Sequence, residues 1–389
     1  MKQPNNLLIG IYFHPEAYPP TLNAIGELRD CFDQITVIHR PHLESRWQYP
    51  VNVTLVPAGK FISAANQQTA SFLYKIGFFL NYLRVFYLQC KQQLPSLILV
   101  YDNISLYAYQ LISHLLNFKH DVWYHNHDVT EMGQLRKFSI GWFAAKAEHK
   151  AFKYLDIFSL PSNDRLKFFP MQNFKGKYFF IPNYPSKKFF SQFYTSRKLE
   201  HTVKIIFQGQ IAPFRGIEQI IPLLSTSIQD HNLELGLIGP CSNVYRHEIT
   251  NLAEEYGVLQ KIYFNKFPYS ELPAFSATYH IGIALLSEKN IMTATIGTAS
   301  NKLYEYAAVG LPVVYYNNEC ISQYLGKFTW AVPADLNMES VKQAIVNIII
   351  RYDECSAAAH RDFLGELNYE KGFEPVKNYL QKGKYNQES

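Results

Sequence analysis

Short β-rich runs alternate with helical patterns almost from one end of this chain to the other, and few folds accommodate that alternation. In the first half the runs are LLIGIYF (7–13), ITVIHR (35–40), VNVTLVP (51–57), SLILVYD (96–102), DVWYHNH (121–127), DIFSLPS (156–162) and YFFIPN (178–183). Helical segments fall between many of them, including 71–94, 104–117 and 139–154. The pattern loses its period over 183–200. It then restarts with VKIIFQG (203–209), LELGLIG (233–239), IYFNKF (262–267), IGIALL (281–286), PVVYYN (312–317) and FTWAVP (328–333). Strands alternating with helices predict parallel sheets covered on both faces.

The chain has 389 residues, enough for two such domains. The reading is α/β with two doubly wound domains, 1–190 and 200–365, and 183–200 as the connection. Helical segments 338–351, 355–364 and 370–381 close the chain, with 366–389 as a helix crossing back to the first domain and a polar tail. In doubly wound sheets ligands bind outside the carboxyl ends of the strands, so both domains are expected to face one cleft. Hydrophobic residues make up 48% and charged residues 18%, which excludes a disordered chain. A net charge of +5 and the lack of a known module leave nucleic acid unsupported. Cys31, Cys90, Cys241, Cys320 and Cys355 are scattered without metal spacing, as expected of reduced thiols in a cytosolic compartment.

The stretch SNKLYEYAAVGLPVV (300–314) carries the sharpest chemistry. On a helical wheel Leu303, Tyr306 and Ala307 share the sheet-facing side, while Asn301 and Glu305 lie opposite with Lys302 beside them. Ser300 is the expected N-cap, and Gly310 followed by Pro312 the stop. A helix amino end favours anions, and a lysine there adds a full charge for phosphate. A carboxylate one turn deeper suits the hydroxyl pair of a ribose. Phosphate beside ribose is a nucleotide; the competing reading is an exposed Lys–Glu pair.

In FQGQIAPFRGIEQIIPLL (207–224) a strand ends at Gly209 and Arg215–Gly216 opens a helix with apolar residues at 217, 220, 221 and 224. A guanidinium there holds phosphate oxygens bidentately. Alone it is also compatible with a solvated loop; with the 300–310 helix it forms a two-sided diphosphate clamp.

Together these segments resemble the retaining glycosyltransferases of GT-B fold, the glycosyltransferase group 1 family. The 300–314 segment is similar to that family's nucleotide-sugar signature, and GQIAPFRGIEQII, LELGLIGP and YHIGIALL follow in the family's order across 200–365. PSLILVYDNISLYAYQL, YHNHDVTE and IPNYPSKKFF match more weakly in the first half. The resemblance implies that Glu305 binds the donor's ribose hydroxyls, that Arg215 and Lys302 meet the diphosphate, and that the backbone of 295–300 approaches the transferred sugar. The expected donor-binding set is Gly209, Arg215, Gly297, Thr298, Ser300, Asn301, Lys302 and Glu305. Two positions depart from the family pattern. Gly297 stands where many members carry a second Glu eight residues before the ribose-binding one, and Gln210 where many place an Arg.

HNHDVTE ends a predicted strand with His125, His127, Asp128 and Glu131 at the rim of the expected cleft. No third metal ligand is specified, so a metal site is disfavoured. The resemblance makes His127 the match to a family His near donor sugar or acceptor; a loop His capping a helix is the alternative. The catalytic set is then His127, Arg215 and Lys302. Transfer is expected with retention, by a front-face route, without a cofactor or metal, the nucleotide sugar serving as co-substrate. The acceptor is expected to be a glycan or a lipid-linked saccharide of bacterial surface-polysaccharide biosynthesis.

Two stretches, 71–94 and 165–190, mix aromatic residues with Lys and Arg. They suit the surface of an anionic membrane, a packed core with solvated lysines, or stacking on acceptor sugars. No run reaches the roughly 18 apolar residues of a spanning helix. The expected location is cytoplasmic, with peripheral contact on the inner face of the cell membrane. A GT-B-like protein that binds a nucleotide sugar or glycan without turnover, and an epimerase or phosphorylase on the same architecture, are the competing readings.

Overall fold

The structure, a computed structural model, describes residues 5–63, 66, 70–116, 120–287 and 289–382. The polar tail beyond 382, and residue 117 of the 104–117 segment, lie outside the described residues. By its internal contacts the chain divides into two units, Met1–Pro182 with Gly372–Ser389, and Asn183–Lys371.

The first unit holds seven strands: β1 (Asn6–Ile11), β2 (Gln34–His39), β3 (Val53–Pro57), β4 (Leu97–Tyr101), β5 (Asp121–His125), β6 (Ile157–Leu160) and β7 (Lys177–Phe180). They pair in the order β3-β2-β1-β4-β5-β6-β7, all parallel. A strand covered on both faces needs no polar alternation, and every residue of β4 (LILVY) is buried. Helices α1 (Pro19–Leu28), α2 (Phe72–Gln93), α3 (Asp102–Ser113) and α4 (Ile140–Ala151) pack in this unit. Ser71 caps α2 by accepting from the Tyr74 amide, and Phe78, Phe79, Tyr82, Phe86 and Cys90 form its buried stripe.

The second unit holds β8 (Thr202–Gln208), β9 (Asn232–Ile238), β10 (Ile262–Asn265), β11 (Ile281–Ala284), β12 (Val313–Tyr316) and β13 (Ala331–Ala334). The order is β10-β9-β8-β11-β12-β13, again all parallel. Strand order reverses between β8 and β11, so their carboxyl ends make the switch point where such sheets bind ligands. Alternate residues of β8 feed two cores. Ile205 and Phe207 share a core with Ile249 of α5 (Asn243–Glu255), whereas Ile206 packs with Leu303 and Tyr306 of α6 (Asn301–Ala308).

Helix α6 ends as its sequence predicts. Gly310 takes φ +73°, Leu311 N–H donates to Tyr306 O (2.9 Å) and Gly310 N–H to Ala307 O (3.0 Å). Helix α7 (Tyr352–Gly365) supplies further donors: Ser356 Oγ to Gly310 O at 2.7 Å and His360 Nδ1 to Ala308 O at 3.1 Å. A side chain at 310 would also collide with the Tyr194 ring. Gly310→Ala is therefore expected to lower unfolding free energy by at least about 2 kcal/mol, since left-handed backbone and overpacking add. Denaturant unfolding measures it, and an unchanged midpoint would contradict this account of the turn.

The 183–200 segment, read as the connection, follows the boundary at Pro182 and packs in the second unit. Phe190 is 2% exposed in the second unit's core. Arg197 donates to the carbonyls of Ala277, Tyr279 and Val309. The chain closes with α8 (Tyr369–Lys382). From Gly372 on it packs in the first unit, with Phe373 near Trp123, Tyr379 near Phe179, and Lys377 bonded to Glu27 (3.3 Å) and Asp30 (3.0 Å). No helix among the described residues is long and apolar enough to cross a membrane.

Candidate donor site at the second switch point

The site is built outward from Tyr306. Its hydroxyl donates toward Ile206 O (3.3 Å) and Ile283 O (3.4 Å), and accepts from the Gln208 amide (2.8 Å). One phenol thus ties α6 to β8 and β11 at their carboxyl ends. Gly282 makes room for it, because a side chain there would strike the Tyr306 ring.

That anchor sets the preceding residue, Glu305, which is 6% exposed. Its Oε2 accepts from Gln208 Nε2, and Ser276 Oγ donates to Gln208 Oε1 (3.1 Å), which fixes the amide's orientation. Burial pushes the Glu305 carboxyl up to about 7, against the Tyr269 hydroxyl, the Lys302 charge and the Gln208 amide, which hold it down. A buried carboxylate in a hydrogen-bonded setting rules out the exposed Lys–Glu pair.

Lys302 stands half-buried at the start of the same helix, its Nζ 4.2 Å from the centroid of the Phe207 ring. A Cβ placed on Gly209 would lie 3.1 Å from that Nζ, so the glycine leaves the ammonium its space. Burial, and then the Arg215 charge, push Lys302 down to about 7, with Glu305 acting in the opposite direction. The neighbouring guanidinium thus disfavours the charged form of Lys302, and an anion beside the ammonium relieves it.

The structure thus brings Gly209, Arg215, Lys302 and Glu305 together at one switch point. Three local expectations change. Ser300 occupies the N-cap position of α6, but its side chain makes no capping bond. Arg215–Gly216 opens only a single α-turn, Ile217–Ile220, continued as a 3-10 turn over Ile221–Ser225. Pro222 brings no N–H to an α-helical ladder there. The apolar positions still point inward: Ile217, Ile220, Ile221 and Leu224 are fully buried. Glu305, read on the polar face, is buried because Gln208 and Ser276 cover it.

The 297–300 loop is held by Asn183, whose N–H donates to Thr298 O and whose Nδ2 donates to Ala299 O, both at 2.9 Å. Thr298 is 1% exposed, whereas Asn301 Oδ1 is buried with no hydrogen-bond partner. Gly297 has a packing reason: a Cβ there would lie 2.7 Å from the Tyr324 ring and 3.3 Å from Cys320 Sγ. Gly297→Glu is therefore expected to destabilise the chain by about 1–3 kcal/mol rather than add a sugar ligand. Wild-type stability with tighter donor binding, read by thermal unfolding and titration, would contradict that placement.

His127 lies in the first unit, two residues past the carboxyl end of β5, and is 3% exposed. Its ring is stacked between Tyr18 (4.8 Å) and Tyr101 (4.9 Å), with Thr21 Oγ1 3.1 Å from Nε2 and His125 4.7 Å away edge-on. Burial, then His125 and Arg165, hold it well below its ordinary pKa, so it is neutral. Its Nδ1 is buried without a partner. Among the described residues no group of three His, Cys, Asp or Glu side chains could hold a metal ion.

Sequence reasoning missed Gln208 and Tyr269, which bond the Glu305 carboxylate, and Ser276, which holds the Gln208 amide. Asn183 carried only a weak signal, through the IPNYPSKKFF match.

No protein-family model matches the chain, and no curated protein matches it. Solved structures do. Sucrose-phosphate synthase from Thermosynechococcus elongatus superposes with a TM-score of 0.72 at 12% identity, over 97% of this chain and 98% of that one. HepE from Anabaena, in complex with UDP and glucose, gives 0.67 at 11%, over 97% and 100%. WaaG, a glycosyltransferase involved in lipopolysaccharide biosynthesis, gives 0.66 at 14%, over 97% and 100%. Such low identities speak for architecture alone, and the architecture is GT-B: two Rossmann-like domains, as the resemblance implied.

Proposed function

We propose that this protein is a nucleotide-sugar-dependent glycosyltransferase that moves a sugar, with retention, to a hydroxyl of a glycan or lipid-linked acceptor in bacterial surface-polysaccharide assembly. One observation carries the reading. A buried carboxylate, Glu305, and two neighbouring cations, Lys302 and Arg215, meet at the switch point of a Rossmann-like sheet. A ribose beside a diphosphate answers both demands. HepE, of the same fold, was solved with UDP and with UDP-glucose, and WaaG acts in lipopolysaccharide biosynthesis.

In this account the C1–O bond to the diphosphate breaks as the acceptor oxygen bonds to C1 on the same face. The acceptor's proton passes to the departing diphosphate. Arg215 and Lys302 stabilise the charge growing on that leaving group, a contribution of electrostatic kind worth several kcal/mol at comparable sites. No metal or cofactor is required. His127 completes the catalytic set as the first unit's contribution, the match to a family His near donor sugar or acceptor.

Peripheral membrane contact draws support from α2, where Phe72, Leu73 and Tyr74 are exposed beside Lys75. The 165–190 stretch does not add to it. Its aromatic rings are all buried or half-buried, and Arg165 is 1% exposed.

The competing reading, a nucleotide-sugar binder without turnover, rests on Gly297 and the Tyr324 ring packed against it. Incubation with UDP-glucose, GDP-mannose and dTDP-glucose, followed by nucleoside diphosphate release, separates them. Release abolished in Arg215→Ala is expected of the enzyme. Tight binding with no release would favour the binder.

A further inference from the structure

The first unit contains a cavity of about 210 Å³ whose lining includes two cations, Arg40 and Lys75, and no carboxylate. Tyr12 and Arg40 follow β1 and β2, so the cavity sits at the carboxyl ends of those strands. The Arg40 guanidinium is clasped between two rings, 4.7 Å from the Tyr12 centroid and 4.9 Å from that of Phe78. Its Nε is buried without a hydrogen-bond partner, and it forms no ion pair among the described residues. Arg40 as a whole is half-buried, but a buried N–H without an acceptor is costly, and an anion in the cavity would complete it.

Another wall supplies more donors. Ile140 and Gly141 line the cavity as the first two residues of α4, a twelve-residue helix. Their amides precede the first intrahelical bond, and the helix dipole turns its positive end to the same space. Ser139 Oγ is already engaged by the Trp142 amide (3.2 Å), leaving these amides unclaimed by it.

We infer that this cavity binds a phosphate group carried by the acceptor. A planar guanidinium fork and helix-terminal amides match the several oxygens of a tetrahedral phosphate better than the two of a carboxylate. Tyr12 and Phe78 set an aromatic surface around it. The inference rests on the glycosyl-transfer reading for the word acceptor; the phosphate site itself does not need it.

The test uses the full chain in an Arg215→Ala/Lys302→Ala background, so that no donor-site cations compete for phosphate. Calorimetric titration with inorganic phosphate, glucose 6-phosphate and acetate is run on that protein and on versions adding Arg40→Ala, Arg40→Lys or Lys75→Ala. Binding of both phosphates, weakened at least tenfold by Arg40→Ala, is expected. Arg40→Lys is expected to recover part of it. Lys75 is exposed, so Lys75→Ala folds normally and is expected to weaken binding several-fold. Phosphatidylcholine vesicles with and without a long-chain alkyl phosphate then distinguish a lipid from a soluble source. Preference for the alkyl-phosphate vesicles assigns a lipid phosphate, and glucose 6-phosphate binding better than inorganic phosphate assigns a phosphorylated saccharide.

Acetate binding as well as phosphate, no phosphate binding, or equal binding when Arg40 and Lys75 are replaced would each overturn the inference. UDP titration of Arg40→Ala in the otherwise wild-type chain separates the two failures. Loss of the cavity's phosphate with UDP binding intact leaves the donor site standing. Absent UDP binding with Arg40-dependent phosphate binding sinks only the transfer reading.

Discussion

Glu305→Ala is expected to weaken nucleoside diphosphate binding by roughly a hundredfold, about 3 kcal/mol, because hydrogen bonds to a charged acceptor are each worth about 1.5–3 kcal/mol. The carboxylate is nearly dry and Gln208 Nε2 holds one of its oxygens. An ionised carboxylate has about four lone-pair sites, so acceptor capacity remains for a ribose diol. Glu305→Gln keeps the shape but lacks the charge, and is expected to fall between wild type and alanine. Calorimetric titration reads the affinities, with thermal unfolding of the unliganded variants to separate binding from stability. Unchanged affinity in both variants would remove Glu305 from the donor site.

The second large effect is a bell-shaped pH dependence of donor affinity centred near pH 7. Glu305 in the free protein is raised to about 7 by burial, and it must ionise to accept from the ribose. Affinity therefore falls as pH drops below 7. Lys302 in the free protein is lowered to about 7, by burial and then by Arg215, whereas a bound diphosphate favours its charged form. Above pH 7 binding takes up a proton, and affinity falls by up to about tenfold per pH unit. Glu305→Gln should flatten the acid limb and Lys302→Met the alkaline limb; titration of the nucleotide's own phosphate is common to all three proteins. Lys302→Met is also expected to reduce turnover by about a hundredfold. An alkaline limb that survives Lys302→Met would refute the role given to this lysine.

The strands and α6 were legible because their signals are local. β8, expected over VKIIFQG (203–209), forms one residue earlier over Thr202–Gln208, and the stop at Gly310 depends on three neighbouring residues. What escaped the sequence is what distant segments supply. Glu305 looks solvent-facing on a wheel, yet Gln208 and Tyr269 bond its carboxylate and Ser276 holds the Gln208 amide. His127 follows a strand end as its sequence suggests, but the Tyr18 and Tyr101 rings stacked on it come from other segments. The 183–200 segment has no period because its inward groups, Phe190 and Arg197, serve a core and three carbonyls rather than a helix stripe. Arg40 carried no signal at all; its meaning comes from the two rings that hold it and the space it lines.

Calorimetric titration of the wild-type chain with UDP, GDP, dTDP and CMP, each beside Glu305→Ala, decides whether Glu305, Lys302 and Arg215 form a nucleotide-sugar site. Selective binding of one nucleotide, and its loss in the variant, is the expected result. Binding of none of the four, or equal binding by both proteins, would contradict it.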